Sequence, residues 1–477
     1  MDNYSDKPQH ECGVFGISSR MPNEAARQTF FGLFALQHRG QEAAGIAVSD
    51  GERMALHKGQ GLVNQVFSED VISQLEGKLA IGHTRYSTTG SSSLENVQPM
   101  QFNTKHGPVA LAHNGNLVNA AELRKELLDQ GMGLVSSTDT EVMLAMLARA
   151  KGAGFIKKIS NCMPKWIGAY SIVILTLDGI FAARDPWGLR PLTIGSLSQG
   201  GYAVASETGA LQVIGCHSIR EVNPGEVIDL HNSALIVNQA LPVKQPQAKC
   251  TFEHIYFSRP DSIWDGKVVH QVRRRLGEQV AKEFPIEADV VVPVPDSSIP
   301  AALGYAVESQ IPYDIGLLKN RYIGRTFIQP SESSRKKGVD MKYSPIDQVL
   351  SGQRVILIDD SIVRGTTAKR LVKLIREAGA KEVHFCITCP PIIAPCFMGV
   401  DMSTPEELIA SNFGIEEIKE LLGADSLNYI SLEGMMTAIN SIEGYCNACF
   451  TGTYPFEVNQ SNTKYQFESS KNTDGQC

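Results

Sequence analysis

Thirteen residues in the second half of the chain constrain its fold more than any others: Val355-Ile-Leu-Ile-Asp-Asp-Ser-Ile-Val-Arg-Gly-Thr-Thr367. Four apolar residues run straight into Asp359 and Asp360, and Ser361, Arg364, Gly365, Thr366 and Thr367 follow. Beyond them Ala368, Leu371, Val372, Ile375 and Ala378 recur at helical spacing, and Gly379 stands where a C-cap belongs. The segment therefore reads as a buried strand, a tight turn and a helix. A turn rich in Gly and hydroxyls at a helix N-terminus offers free backbone N–H groups and the positive dipole end to a phosphate. The two carboxylates would repel a phosphate directly; they suit sugar hydroxyls or a hard cation such as Mg²⁺. Taken alone, the Asp pair is more simply an acidic helix cap. A sugar phosphate held with magnesium satisfies both halves of the turn, and the P-loop spacing is absent.

Two neighbours extend this pattern. Val290–Val294 is a second β-branched run, closed by Val294-Pro-Asp-Ser297, and Glu382–Thr388 reads as the next strand. Strand–helix–strand order implies a parallel sheet with helices on its faces, and ligands at the carboxyl ends of its strands. The first half differs. It carries short strands at Gly13–Ile17, Leu79–Gly82, Val109–Ala112, Tyr170–Leu177 and Tyr202–Ser206, with helices at Ala25–Gln37 and Asp139–Ala150. That mixture implies a layered α+β domain. The polar, proline-containing stretch Asn238–Lys249 reads as a linker. A length of 477 residues accommodates two large domains. A formal charge of −7 argues against a nucleic-acid partner. No apolar run approaches the roughly 20 residues of a membrane span, and residues 1–11 lack the features of a signal peptide, so a cytoplasmic protein with reduced thiols is expected.

Near the start stands His10-Glu11-Cys12-Gly13. Cys12 reads either as a buried core thiol or as a nucleophile. Cleavage after Glu11 would free an α-amine with a pKa of about 7.7–8.0, suited to act as its base. Residues 1–11 would then be a propeptide. Four further segments bear on the choice, and each also has a plain structural reading. His83-Thr-Arg-Tyr-Ser-Thr88 sets Arg85 just after a strand, where it is otherwise a surface charge. His113-Asn-Gly-Asn-Leu117 sets the Asn114 amide beside the Gly115 N–H, as an oxyanion hole requires, or as a hairpin turn. Ser136-Ser-Thr-Asp-Thr-Glu141 sets Asp139 at a helix start, where it or Ser137 is otherwise an N-cap. Leu36-Gln-His-Arg-Gly40 ends a helix in a polar turn.

Together these segments resemble the class II glutamine amidotransferase domain, an α+β N-terminal-nucleophile hydrolase sandwich, over about residues 12–240. The resemblance implies that Cys12 attacks the glutamine side-chain amide and that Asn114 and Gly115 hold the oxyanion. It further implies that Arg85 binds the substrate α-carboxylate and Asp139 its α-ammonium. Val355–Thr367 resembles the motif of type I phosphoribosyltransferases that binds phosphoribosyl pyrophosphate (PRPP), on an α/β domain with a parallel sheet over about residues 250–455. By that resemblance Asp359 and Asp360 contact the ribose hydroxyls, and Ser361, Arg364, Gly365, Thr366 and Thr367 wrap the 5-phosphate. One Mg²⁺ per subunit would be held through the substrate and Ser297, Asp359 and Asp360. Arg335, Lys336, Lys337 and Lys342, in the polar stretch Gln329–Pro345, read as a solvated basic loop or, by the resemblance, as a flap closing over PRPP.

The two halves in one chain, with Phe252-Glu-His-Ile-Tyr-Phe-Ser-Arg-Pro-Asp-Ser262 opening the second, resemble the glutamine PRPP amidotransferase family. The implied reaction turns glutamine, PRPP and water into 5-phosphoribosylamine, pyrophosphate and glutamate, the first committed step of purine synthesis. A shielded ammonia path, activation of the glutaminase by PRPP, feedback inhibition by purine nucleotides (AMP, GMP, ADP) and a homotetramer are implied with it. The competing readings are a PRPP-sensing regulator and a glutaminase serving another acceptor.

Ten cysteines remain to be assigned. Cys446-Asn-Ala-Cys449 has metal-ligand spacing, and Cys386-Ile-Thr-Cys389 looks like its partner in a zinc site. Side chains three apart on a strand face opposite sides, so Cys386 and Cys389 converge only if the strand ends between them. The iron–sulfur branch of the resembled family implies instead one [4Fe–4S] cluster per subunit on Cys250, Cys396, Cys446 and Cys449, together with the propeptide. Cys162, Cys216 and Cys386 are then core residues, and 456–477 a polar tail.

Overall fold

The computed structural model describes residues 12–86, 93–231, 234–320, 342–402 and 404–458. The segment 1–11, Ser87, Thr88, Arg335, Lys336, Lys337 and the tail from 459 lie outside the described residues.

The short strands of the first half pair into two antiparallel sheets. One runs Cys216–Glu221, Thr193–Leu197, Gly201–Ala205, Gly13–Ser19, Leu79–Arg85, Ala43–Ser49, Met54–Gln60. The other runs Ala234–Gln239, Glu226–His231, Ile180–Arg184, Gly168–Leu175, Gly107–Leu117, Met100–Thr104. Strands such as Gly13–Ser19 are buried along their whole length because each sheet is covered on both faces. Val14, Ile81 and Ala47 meet Ala112, Val173 and Ile228 between the sheets. Phe15, Ile46 and Ala80 pack under Leu33 of helix Ala25–Ala35 and Leu211 of helix Thr208–Val213. Leu111, Ile172 and Ala183 pack under Val142 of helix Asp139–Arg149 and Leu123 of helix Ala120–Asp129. The result is helix, sheet, sheet, helix.

The expected linker is shorter than its composition suggests. The last strand of the second sheet continues to Gln239, so Asn238 and Gln239 belong to it. The chain then lies along the first domain: the amides of Lys244, Ala248 and Cys250 donate to the carbonyls of Pro186, Trp187 and Leu189.

The second half forms a parallel sheet in the order Val290–Pro293, Arg354–Asp359, Glu382–Ile387, Ser426–Tyr429. Arg354–Asp359 has a neighbour on each side, and its run Val355–Ile358 is fully buried, as an unbroken apolar sequence requires. Helices Val269–Glu283, Ile299–Ser309 and Thr366–Glu377 contribute Leu276, Ala302 and Leu371 to the same core. No helix among the described residues is long and apolar enough to cross a membrane.

Helices Val269–Glu283 and Ile299–Ser309 cross with their backbones nearly touching. A Cβ at Gly277 would sit 1.8 Å from the Ala301 carbonyl oxygen. In isolation, Gly→Ala in a helix stabilises by about 1 kcal/mol. At this crossing G277A should instead destabilise by about 1–3 kcal/mol in urea unfolding; a gain in stability would contradict the packing described.

Candidate functional site

Cys12 stands at the head of the central strand Gly13–Ser19, 8 % exposed, with its Sγ 3.4 Å from the Tyr86 carbonyl. Burial pushes its thiol up to about 11, against a lowering pull from Arg85; Glu42 and Asp139 push in the same direction as burial. The thiol is therefore protonated near neutrality and needs a base. Arg85, at the end of the neighbouring strand, is 3 % exposed and so no surface charge.

Asn114 and Gly115 lie inside the long strand Gly107–Leu117, paired with Ser171 and Tyr170, and not in a hairpin turn. The Asn114 Nδ2 is buried and has no hydrogen-bond partner among the described residues. An unsatisfied buried donor costs about 1–3 kcal/mol, and an arriving oxyanion is the natural acceptor. Gly115 has φ +144, and a Cβ there would lie 2.0 Å from the Ala169 carbonyl oxygen, so only glycine fits.

Asp139 is the first residue of its helix; the cap is Thr138, whose side chain accepts from the Glu141 amide. Its Oδ2 accepts from the Leu117 amide at 2.9 Å, tying the helix start to the end of the Asn114 strand. Burial pushes the Asp139 carboxyl up, but His113, 3.6 Å away, and the amides of Leu117 and Thr140 hold it below its ordinary value. Cys12, Arg85, Asn114, Gly115 and Asp139 thus gather at one end of the sandwich from four separate elements.

The acidic turn sits at the carboxyl end of the parallel sheet. Asp359 closes its strand, and Gly365, φ +81, precedes helix Thr366–Glu377. Ser298 Oγ donates to Asp359 Oδ1 at 2.9 Å, Ser361 Oγ to Asp360 Oδ1 at 2.7 Å, and Ser297 Oγ to Asp360 Oδ2. The turn Val294–Ser297 is held against it by the Val294 amide on the Ile358 carbonyl. Ser297 thus faces Asp360, and Ser298 faces Asp359, across the two turns. Thr366 is exposed and Thr367 half-buried at the helix start. Arg364 donates to Glu407 at 2.8 Å, so in this state it faces a carboxylate of the protein.

Cys250 and Cys446 are paired residues of a two-stranded parallel ribbon. Cys396 Sγ accepts from the Met398 amide at 3.4 Å, and Cys449 lies in the short helix Ala448–Thr451. All four line one cavity, with Leu189, Met398, Val400, Met402 and Tyr454. Burial pushes Cys250 up to about 12 and Cys446 up to about 11. Among the described residues no three His, Cys, Asp or Glu side chains meet as ligands of a single metal ion would. Cys386 is a core residue of its strand, which ends at Ile387, and Cys389 beyond it is buried near Cys449. Cys162 is buried as expected; Cys216 is only half-buried, on an edge strand.

Between the halves runs a set of contacts that sequence reasoning did not assign. Asn116 Nδ2 donates to the Phe397 carbonyl and Arg190 Nε to the Met398 carbonyl, both at 2.9 Å. A Cβ at Gly399 would lie 3.0 Å from the carbonyl carbon of Gly115. Arg39, 1 % exposed, reaches Cys12, Glu207 and Glu253. Arg39 lies in a polar turn and Glu253 beside Phe252, so no local pattern marks either as buried, and their partners lie too far along the chain to be paired from sequence.

A buried thiol and an orphaned amide donor on one domain, with an acidic turn at the carboxyl end of a parallel sheet on the other, are what a glutamine-dependent phosphoribosyl-transferring enzyme requires. Residues 83–213 match the family model of a glutamine amidotransferase domain and residues 261–394 that of a phosphoribosyl transferase domain. The amidophosphoribosyltransferase of Synechococcus elongatus is 48% identical over 95% of this chain and 93% of its own length. That of Bacillus subtilis is 49% identical over 94% and 95%. The solved B. subtilis glutamine PRPP amidotransferase complexed with ADP and GMP covers 95% of this chain and 99% of its own at 48% identity, TM-score 0.89. The chain belongs to the amidophosphoribosyltransferase family. Its fold is an N-terminal-nucleophile hydrolase sandwich followed by a type I phosphoribosyltransferase domain. Its reaction is the pentosyl transfer that makes 5-phosphoribosylamine for purine synthesis, with glutamine as nitrogen donor.

Ionisation of Cys12 can be read directly in protein that retains residues 1–11. A thiol of ordinary pKa, about 8.5, levels off in alkylation rate by about pH 9.5. For Cys12 the rate should keep climbing about tenfold per pH unit to about pH 10, because its thiolate forms only near 11. An early plateau would contradict the burial assigned to it.

Proposed function

We propose the following division of labour for the amidophosphoribosyltransferase reaction. Cys12, freed as the N-terminal residue by removal of 1–11, attacks the glutamine amide, and its own α-amine takes the thiol proton. The orphaned Asn114 Nδ2 carries this reading: together with the Gly115 N–H it is the donor pair that stabilises the oxyanion. Arg85 and Asp139 bind the α-carboxylate and α-ammonium of glutamine; both are buried beside Cys12 and of the right sign. Ammonia then attacks C1 of PRPP, whose ribose hydroxyls bind Asp359 and Asp360. The 5-phosphate lies in the turn of Ser361, Arg364, Gly365, Thr366 and Thr367, with Arg364 released from Glu407. Ser297, Asp359 and Asp360 would hold Mg²⁺, which supplies charge neutralisation for the departing pyrophosphate.

Cys250, Cys396, Cys446 and Cys449 would hold a [4Fe–4S] cluster as a structural staple. The support is a cavity lined by all four thiols, with largely apolar walls. Thiols pushed up by burial ionise when a metal draws off their protons. Purine nucleotides act as feedback inhibitors: one similar structure is complexed with ADP and GMP, and a second is described as that of the allosteric regulatory enzyme of purine biosynthesis. Free thiols suit a cytoplasmic location. The assembly is a homotetramer, on the family resemblance.

Glutamate release by anaerobically purified protein with Mg²⁺ should rise strongly when PRPP is added and fall again on chelation of the metal. Release indifferent to PRPP would point to a glutaminase with another acceptor; none at all, with the N-terminus and metal site intact, would favour a sensor. The same preparation should contain iron and acid-labile sulfide, about four of each per chain, both lost in C446S. Zinc without sulfide would overturn the cluster assignment.

A further inference from the structure

Cys250 and Cys446 stand on a parallel ribbon of two residues per strand, Lys249–Cys250 against Tyr445–Cys446. A ribbon that short has no stability of its own. Its ties near the main chain are the Lys249 amide on the Gly444 carbonyl and the Thr251 hydroxyl on the Cys446 carbonyl, both at 3.0 Å. Residues paired in register share a face, and successive residues alternate between faces. The two thiols therefore share one face, toward the cysteine cavity, and Lys249 and Tyr445 share the other. On that second face both side chains end on a single carboxylate. Lys249 Nζ donates to Asp265 Oδ1, and the Tyr445 hydroxyl donates to Asp265 Oδ2 at 2.6 Å. Lys267 Nζ reaches the same Oδ2 at 2.5 Å and lies 5.6 Å from the centre of the Tyr445 ring. The Tyr445 oxygen, its proton given to Asp265, meets Nε2 of the buried His254 at 3.1 Å. Asp265 and Gly266 form the two-residue turn of the hairpin Ile263–Trp264 against Lys267–Val268, with φ +52 and +68. Asp-Gly suits such a turn, because both positions need positive φ. Burial pushes the Asp265 carboxyl up, yet the hydrogen bonds of Lys249, Lys267 and Tyr445 outweigh it and hold the group at about 2.

A lone ion pair near the surface would contribute little. Here two ammonium groups and a phenol from separate stretches of the chain converge on one half-buried acid, and two of these donors directly precede cysteines of the cavity. We propose that Asp265 is a positioning residue for the metal centre: it clamps Lys249 to Tyr445 on the back of the ribbon and so holds the Cys250 and Cys446 thiols in register as a ligand pair. Cys396 and Cys449 have anchors of their own, the Met398 amide for the first and the helix Ala448–Thr451 for the second. Opening the clamp therefore loosens two of the four thiols together. Groups behind the ligands commonly orient them; here the orientation passes through the backbone of the preceding residues. This rests on the reading above that the four cysteines hold a metal centre.

The test uses the full chain, purified without air, with Asp265→Asn, which keeps the shape and removes the charge. On exposure to air the visible absorption of the cluster should bleach about tenfold faster than in the wild type, with iron appearing in step. Tyr445→Phe, which deletes one hydroxyl, should quicken the bleaching about threefold. The double variant should bleach no faster than Asp265→Asn alone, because both changes open the same clamp. Wild-type bleaching rates in both single variants overturn the proposal. So does a double variant whose acceleration is the product of the two, which marks two independent structural defects. If Asp265→Asn fails to fold, Tyr445→Phe decides alone. A wild type that carries zinc without sulfide would refute the cluster reading but not the clamp; release of zinc to a chelator then replaces bleaching, and equal release from wild type and variants overturns the clamp. A wild type that holds neither metal overturns both.

Discussion

Gly399 lies against the backbone of Gly115 at a distance that leaves no side chain room between them. Around that contact Asn116 and Arg190 capture the carbonyls of Phe397 and Met398, and Cys396 accepts the Met398 amide. One short stretch of the second domain is thereby fixed both to the strand Gly107–Leu117 of the first and to the wall of the cysteine cavity. Two chemistries that require opposite surroundings are joined there. Amide hydrolysis needs a dry pocket with a thiol and unsatisfied donors; phosphoribosyl transfer needs carboxylates, hydroxyls and a cation at the open edge of a sheet. A mobile hinge between them would release ammonia to water, where it is protonated. The hydrogen-bonded linker, the Gly115–Gly399 contact and the Arg39 bridge hold the two surroundings in register instead.

Much of this was legible in the sequence where local pattern dictates structure. The run Val355–Ile358 is unbroken because its strand is central and covered on both faces. The helix after Gly365 follows from apolar spacing, and the gathering of Cys12, Arg85, Asn114 and Asp139 follows from the resemblance their motifs carry. What stayed hidden are properties of pairing. Asn114-Gly115 has the chemistry of a hairpin turn, and only its pairing with Ser171 and Tyr170 makes it mid-strand. Asn238 and Gln239 have linker composition but are recruited by the neighbouring strand Glu226–His231. Arg39 and Glu253 are 214 residues apart, and no local pattern signals that they meet.

Burial does chemical work at each centre. It raises Cys12 so far that the thiol holds its proton near neutrality. It raises Cys250 and Cys446 likewise, so both thiols hold their protons near neutrality. At Asp139 it is outweighed by His113 and backbone amides, which hold the carboxyl below its ordinary value.

The claim on which all of this turns is that the two sites act as one enclosed system. It is tested most directly by supplying glutamine labelled with ¹⁵N in its side-chain amide, together with PRPP, Mg²⁺ and an excess of unlabelled ammonium, and measuring the isotope in the product amine. Retention of the label in most of the 5-phosphoribosylamine is the predicted result. Label diluted to the isotopic composition of the bulk ammonium would show that ammonia escapes between the sites, and would contradict the account.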